Sequence, residues 1–440
     1  MNFLSIAHGL LGLTLLVGIM YLCSNNRRKV DWRLVGFAIV LQFVFAFIIL
    51  KTDVGKSVFD FFSKGFVTLF SFSTIGAEFV FGPLAKGPGS TGSLGFFFAF
   101  QVLPTIIFFS SLMSVLYYLG IMQRMVKGIA WVMARTLRTT GAESLSVAAN
   151  VFIGQTEAPL VVRPYISTMT ESEILTMMVG GMATIAGGVL AAYVQMLGFA
   201  YAKASGWELE TAQVQFAGHL LASSIMSAPA AILAAKMLIP ETGNPVTKGT
   251  VRLNVEQPHS NIIEAAANGA GDGVKLALNV GSMLLAFIAL IAMVNYGLTE
   301  LGDTFGLNAI CMATFGMPLS LELAFGLVFQ FIAFAIGVPW VDALNVGSLM
   351  GVKLVLNEFV AYLRLSDIIT AGQLSDKAVM IATYALCGFA NFSSIAIQIG
   401  GIGPLAENKR ADIARLGLRA VLGGTVSTWM TATIAGMLVG

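Results

Sequence analysis

Residues 149–159 read ANVFIGQTEAP, an apolar segment that Gly154 and Pro159 interrupt. Glycine and proline break helices and leave backbone groups without partners. At membrane depth such groups are tolerated only where they line a cavity or are buried in protein. We therefore predict that this segment lies at the turn of a re-entrant hairpin, which we place over residues 144–165.

Three polar side chains stand at this break: Gln155, Thr156 and Glu157. An amide, a hydroxyl and a carboxylate together donate and accept hydrogen bonds, which suits the edge of a polar heterocycle. Ionisable residues inside membranes usually serve function. The alternative is that Glu157 only packs between helices and is neutralised by Arg163. The group predicts substrate binding rather than catalysis.

The composition is that of an integral membrane protein. Of the 440 residues, 57% are hydrophobic and 11% are charged, and the mean hydropathy is +0.83. Soluble domains carry about 25% charged residues. Charge-free windows such as residues 3–23 reach the roughly 20 residues that a spanning helix requires. The net charge of +2 offers no basic patch for nucleic acid. We predict an all-α polytopic membrane protein that does not bind nucleic acid.

Apolar windows predict eight transmembrane helices. We place them at residues 3–23, 34–50, 101–119, 174–200, 212–237, 276–296, 377–400 and 416–438. Basic clusters follow spans one, three, five and seven, at residues 27–33, 124–138, 236–252 and 409–419. Positive loops face the cytoplasm, so both termini are predicted to lie outside it.

Two apolar stretches fit a spanning helix less well. Residues 54–75 are amphipathic and carry Lys56, Asp60 and Lys64, which predicts a helix that lies along the membrane interface. Residues 319–338 fit either a span or an interfacial helix.

A second hairpin is predicted over residues 341–363, and it reveals a weak internal repeat. Hairpin one is followed by a span that contains Gly180 to Gly188, and hairpin two by a span that contains Gly388 to Ser394. An odd number of crossings separates the halves, so the repeats are predicted to be inverted. Inverted repeats with broken helices place the substrate site near the bilayer midplane.

The second repeat contributes its own polar cluster: Glu358, Asn391, Ser393 and Ser394, with Phe389 beside them. A carboxylate, an amide and hydroxyls suit the vicinal hydroxyls of a sugar. The alternative, that these small polar residues only join helices, stays open.

A cation site is a weaker inference from the residues alone. Asn150 and Thr184 supply side-chain oxygens, and the breaks at Ile153 and Ile185 free carbonyl oxygens. Carbonyls and helix ends coordinate Na⁺ or H⁺ in transporters. An asparagine and a threonine in a helix bundle more often form interhelical hydrogen bonds, roughly twice as often.

Motifs of soluble chemistry are missing, because the chain has neither HExxH nor a Walker A sequence. An enzyme is therefore not expected. An elevator transporter of another polar solute and a channel remain as alternatives. Glu157 and Glu358 disfavour an anionic substrate.

Three ordered motifs carry a resemblance that covers nearly the whole chain. They are GQTEAP with RPYI at residues 154–159 and 163–166, NEFVAY at 357–362 and GFANFSS at 388–394. In these motifs the chain resembles the concentrative nucleoside transporters. The resemblance implies a homotrimer in the cell inner membrane, in which a hairpin-bearing transport domain moves like an elevator against scaffold spans.

The resemblance also implies roles for individual residues. Those expected to bind the nucleobase are Gln155, Thr156, Glu157 and Val189. Those expected to bind the ribose are Glu358, Phe389, Asn391 and Ser394. Those expected to hold a sodium ion are Asn150, Ile153, Thr184 and Ile185.

The implied function is import of nucleosides, uridine and related, driven by the sodium gradient, with proton coupling as the alternative. We divide the chain into scaffold spans one to three with an interfacial helix (residues 1–119), the first half of the transport domain with hairpin one (120–240), a cytoplasmic linker with scaffold span six (241–318) and the second half of the transport domain with hairpin two (319–440).

Overall fold

The computed structural model describes residues 3–87, 91–247 and 260–439. These residues form helices and connecting segments without a strand, which confirms the all-α prediction. Within these described ranges, eight stretches are long and apolar enough to cross a membrane, or nine if one bent helix pair is counted as a span. The chain is thus a multi-pass membrane protein. Residues 248–259, which include the end of the third basic cluster, lie outside the described residues.

The first six α-helices precede hairpin one. They are α1 (Phe3–Leu22), α2 (Trp32–Lys51), α3 (Asp53–Phe81), α4 (Phe98–Gln101), α5 (Leu103–Tyr118) and α6 (Ile121–Leu137), with 3₁₀ turns at Arg27–Lys29 and Gly82–Ala85. Side-chain caps set two of the starts. Asp31 accepts from the backbone N–H groups of Arg33 and Leu34, and Thr52 accepts from that of Gly55.

Helix α3 covers the stretch predicted to lie along the interface. Residues 57–85 are long and apolar enough to span. If α3 crossed the membrane, the basic clusters at residues 27–33 and 124–138 would fall on opposite faces. If it lies in the interface, both clusters stay on one face, as the positive-inside rule requires. The interfacial location therefore stays our prediction.

The first repeat begins with hairpin one. Its elements are α7 (Gly141–Asn150), a 3₁₀ turn (Ala158–Val162), α8 (Arg163–Ile166), α9 (Glu171–Ala183), α10 (Gly187–Ser205) and α11 (Leu209–Leu238). The predicted span at residues 174–200 is therefore two helices, separated by a break at Thr184 to Ala186.

In the described part of the connection between the repeats there are three helices: α12 (Ile262–Thr304), α13 (Leu307–Phe315) and α14 (Leu321–Ala335). Helix α12 has 43 residues and extends well beyond the predicted span at 276–296. Its first part packs against α5, because Gly269 and Gly273 bring its backbone against Ser110 and Ile107. This packing stabilises helix beyond the apolar window.

The second repeat consists of α15 (Trp340–Val355), α16 (Glu358–Thr370), α17 (Asp376–Leu386), α18 (Phe392–Ile402), 3₁₀ turns at Gly403–Leu405 and Glu407–Lys409, and α19 (Arg410–Val439). The prediction of one span at 377–400 was wrong, because the chain breaks between α17 and α18. Gly388 has φ +139°, and Asn391 caps α18 through the N–H of Ser394. Helices α14 and α15 meet at a bend of 119°.

The two repeats meet at their breaks. Gly388, in the break of repeat two, lies against the carbonyl groups of Met182 and Ala183 at the end of α9, where an added Cβ would come within 2.8 Å of the Met182 oxygen. Helices α9, α11 and α19 pack on one another and are largely buried. This core holds the residues of both breaks side by side.

Candidate functional site

Gln155 lies at one of the places where the two repeats contact each other through polar atoms. It follows the end of α7 and is buried, with 7% of its surface exposed. Its Nε2 donates to Oγ of Ser394 on α18 over 3.1 Å. One predicted nucleobase residue and one predicted ribose residue thus lie in direct contact.

Gln398 holds the Gln155 amide in orientation, and the sequence reasoning missed it. Gln398 Nε2 donates to Gln155 Oε1 over 3.1 Å and to the carbonyl oxygen of Met178 over 2.9 Å. It is fully buried one turn beyond Ser394. A glutamine inside an apolar helix is the sequence signal that could have indicated it.

Glu358 forms the second half of the site. It is the first residue of α16, directly after the capping residue Asn357. One carboxylate oxygen accepts from Asn391 Nδ2 over 2.9 Å, and the other accepts from the Tyr193 hydroxyl over 3.2 Å. A buried carboxylate requires such donors. Tyr193 is a second residue that sequence reasoning missed.

Asn391 both caps α18 and hydrogen-bonds Glu358. Its Oδ1 accepts from the Ser394 N–H over 2.9 Å and from the Ser393 hydroxyl over 2.7 Å, while its Nδ2 binds Glu358. The cap that begins α18 therefore also orients the carboxylate. Both the helix-capping alternative and the binding prediction are compatible with this geometry.

Thr156 and Glu157 lie at the edge of the site. Thr156 is half-buried, and its methyl group contacts Gly401 near the end of α18. Glu157 is exposed, and its carboxylate folds back over Gly154. Among the described residues Glu157 forms no ion pair with Arg163, so the neutralised packing role is not supported.

The two apolar residues of the predicted site lie beside the breaks. Val189 is buried in the first turn of α10, and Tyr193 follows it by four residues on the same helix face. Phe389 is half-buried in the break between α17 and α18, where its carbonyl accepts from the N–H of Asn391. Val189 and Phe389 thus lie beside the polar contacts, one on each repeat.

The four predicted cation ligands surround the end of α7. Asn150 is buried; its Nδ2 donates to the Ser146 carbonyl over 3.0 Å, and its Oδ1 is a buried oxygen without a hydrogen-bond partner. Thr184 is also buried, and its hydroxyl donates to the carbonyl of Gly180 over 2.9 Å. Gly180 lies against Asn150 Nδ2, which brings the two predicted side-chain ligands into one neighbourhood.

The two predicted backbone ligands are the carbonyl oxygens of Ile153 and Ile185. Ile153 and Ile185 lie in non-helical segments. No hydrogen bond reaches either carbonyl oxygen within the part of the chain that the structure describes. Those residues also hold no cluster of three or more histidines, cysteines or carboxylates able to bind a metal. Neutral oxygens fit a monovalent hard cation such as sodium better than a transition metal.

Three segments match descriptions of nucleoside transport. Residues 11–84 match the description "Na+ dependent nucleoside transporter N-terminus", and residues 219–436 match "Na+ dependent nucleoside transporter C-terminus". Residues 99–200, which contain hairpin one and the first break, match "Nucleoside recognition".

The likeness extends over the full chain. The nucleoside permease NupC of Helicobacter pylori is 40% identical, over 98% of this chain and 97% of the permease. The structure of CNTnw in an inward-facing substrate-bound state is similar with TM-score 0.85 and 42% identity, over 99% of this chain and 98% of that one. A CNTnw variant in an outward-facing state gives TM-score 0.88 and 41% identity, over 100% and 99%. These relatives are transporters rather than enzymes, and the chain belongs to the family of Na⁺-dependent nucleoside transporters.

Proposed function

We propose that this protein imports nucleosides, with uridine among them, in symport with sodium ions. The observation that carries the proposal is the buried polar contact between Gln155 and Ser394, which joins hairpin one to the second broken helix. A ligand that binds there contacts both repeats at once. In inverted-repeat transporters the substrate site lies at this interface.

The two halves of the site suit the two halves of a nucleoside. Gln155 and Thr156 offer donors and acceptors to a base edge, with Val189 as an apolar neighbour. Glu358 and Asn391 offer a carboxylate and an amide to the ribose hydroxyls. Without substrate these polar atoms hydrogen-bond one another. A bound nucleoside would replace these hydrogen bonds with hydrogen bonds to its own atoms.

The assignment of the ribose half is tested by a double-mutant cycle between protein and ligand. Binding of uridine, 2′-deoxyuridine and 3′-deoxyuridine is measured by isothermal titration for the native protein and for Glu358→Gln. If Glu358 binds a ribose hydroxyl, removal of that hydroxyl costs the native protein at least tenfold in Kd and costs the variant much less. Equal losses in both proteins would remove Glu358 from the ribose site.

Sodium is proposed as the coupling ion because Asn150 Oδ1 is buried and lacks a partner, with the free carbonyls of Ile153 and Ile185 as further ligands. The ion would fix the end of α7, from which Gln155 is presented. Sodium and nucleoside would then raise each other's affinity, as linkage demands.

Proton coupling is the second candidate, favoured by one observation. Glu157 is an exposed carboxylate without an ion pair among the described residues, and it lies at the edge of the site. Glu157→Gln separates the two ideas. Sodium-driven uptake that persists in this variant excludes Glu157 as the proton carrier.

The assembly and placement remain part of the proposal. We expect a homotrimer in the cell inner membrane with both termini outside the cytoplasm. The transport domain would comprise residues 120–240 and 319–440, moving against a scaffold of residues 1–119 and 241–318. Cross-linking of the purified protein tests the trimer, and cysteine accessibility at the two termini tests the orientation.

A further inference from the structure

A buried lysine stands in repeat two near the end of the first hairpin helix. Lys353, on α15, has 1% of its surface exposed. Its Nζ donates to the carbonyl oxygen of Ala385 over 3.0 Å and to Oγ1 of Thr428 over 3.1 Å. Ala385 is the penultimate residue of α17, so the ammonium group sits at the carboxyl end of a helix that stops inside the protein.

The position of Lys353 in repeat two matches that of Asn150 in repeat one. The same number of residues separates Asn150 from Thr184, the first residue after α9, and Lys353 from Cys387, the first residue after α17. Both residues lie near the end of the first hairpin helix and contact the last turn of the broken helix. In repeat one this contact is made with Gly180.

Each of the two residues lies at the carboxyl end of a helix, Asn150 beside that of α9 and Lys353 beside that of α17. A helix ends in carbonyls without intrahelical partners and with partial negative charge, which favours a cation. At the end of α17 the carbonyl of Thr383 accepts from the Tyr362 hydroxyl over 2.7 Å, and that of Ala385 accepts from the ammonium.

The titratable groups that face the Lys353 ammonium are Glu358 and Cys387. Neither of them forms an ion pair with it within the described ranges. The charge of Lys353 is thus held mainly by a carbonyl and a hydroxyl. These are the oxygen types that the proposed sodium site offers.

We propose that the Lys353 ammonium is a tethered cation that does in repeat two what sodium does in repeat one. It would hold the end of α15 against the end of α17 and so fix Glu358, five residues further along. The inference rests on the proposed function. It explains how a two-fold repeated site would require a single sodium ion, because the second ion is built into the chain.

The test is Lys353→Asn, which places in repeat two the residue type found at position 150. Uridine binding to the purified full-length protein is titrated by calorimetry at sodium concentrations from micromolar to molar. The native protein is expected to show a sodium Hill coefficient of about 1, and the variant about 2, with affinity lost at low sodium and recovered at high sodium. Lys353→Ala provides a second test. Adding methylammonium chloride to this variant should increase its uridine affinity at least tenfold.

Lys236→Asn is the matched control, because Lys236 is the buried lysine that pairs with Glu143 on hairpin one. Its sodium Hill coefficient should stay at the native value, and methylammonium should not increase its uridine affinity. The proposal is overturned if Lys353→Asn keeps the native sodium dependence. It is equally overturned if neither Lys353 variant folds or binds at molar sodium or methylammonium. If the native protein itself binds uridine without sodium, the proposed function fails instead.

Discussion

Replacing Gln398 by leucine separates orientation of the substrate site from stability of the fold. In the native chain Gln398 fixes the Gln155 amide by donating to its Oε1, and a second hydrogen bond anchors Gln398 to the Met178 carbonyl. Leucine has a similar volume and donates neither bond. The Gln155 amide then loses the partner that sets which of its atoms faces a nucleobase.

The expected magnitudes differ for binding and for stability. One net hydrogen bond contributes about 1 kcal/mol, and 1.4 kcal/mol is tenfold in Kd, so nucleoside Kd should rise about fivefold to tenfold. The Oε1 of Gln398 is buried without a partner. Its removal recovers about 1–3 kcal/mol, which offsets the similar cost of leaving the buried Gln155 Oε1 without this donor. The melting temperature should therefore stay close to native.

The assay is uridine titration at saturating sodium, combined with thermal unfolding of the same purified sample. Gln330→Leu is the matched control, because Gln330 is a half-buried glutamine on α14 whose amide donates to the Leu327 carbonyl of its own helix and, among the described residues, to no other element. It should change neither quantity. The reasoning is refuted if Gln398→Leu binds uridine with native affinity, or if its melting temperature falls as steeply as its affinity.

Three further predictions address the breaks and the buried charges. Asn150→Ala should weaken uridine binding most at low sodium and little at saturating sodium, and equal loss at all sodium concentrations would argue against the cation site. Gly388→Ala should lower the melting temperature and abolish uptake, because alanine resists φ +139° and its Cβ meets the Met182 carbonyl at 2.8 Å; Gly400→Ala, in open space, should be silent. Lys236→Met should destabilise by about 3–5 kcal/mol by leaving a buried carboxylate alone, and adding Glu143→Gln should recover most of this loss in chemical denaturation.

Much of the architecture follows from hydropathy and from helix-breaking residues. Long charge-free windows predict most spans, since lipid enforces helical hydrogen bonding. The hairpin at Gly154 and the repeat of polar breaks were also visible, because polar residues inside apolar windows are rare. The predicted ends of the helices were less accurate. The start of α12 depends on packing of Gly269 against α5, which no local pattern encodes.

The break after α17 shows where local pattern reasoning fails. After Lys377, residues 378–400 carry no charged side chain, so hydropathy predicts one span. The backbone is interrupted because Gly388 takes a positive φ and Asn391 begins a new helix. Asn is a favoured N-cap residue, and here its side-chain oxygen accepts from the Ser394 N–H inside a stretch that hydropathy treats as continuous.

For the candidate site, the sequence indicated polar residues but not the hydrogen bonds between them. Gln155, Asn391 and Glu358 were proposed from their chemistry within apolar segments and from the resemblance, and their role in substrate binding stays a prediction. Tyr193 and Gln398 were missed, since a single tyrosine or glutamine in a span usually serves packing. Their roles emerge only once α10 and α18 are brought beside the two hairpins.

Uptake of radiolabelled uridine into proteoliposomes tests the central claim most directly. Purified protein is reconstituted and given an inward sodium gradient, an inward proton gradient or neither. The account predicts that the sodium gradient alone drives uridine above its equilibrium concentration, and that Asn150→Ala loses this accumulation at low sodium. Accumulation driven only by protons, or by neither gradient, would contradict it.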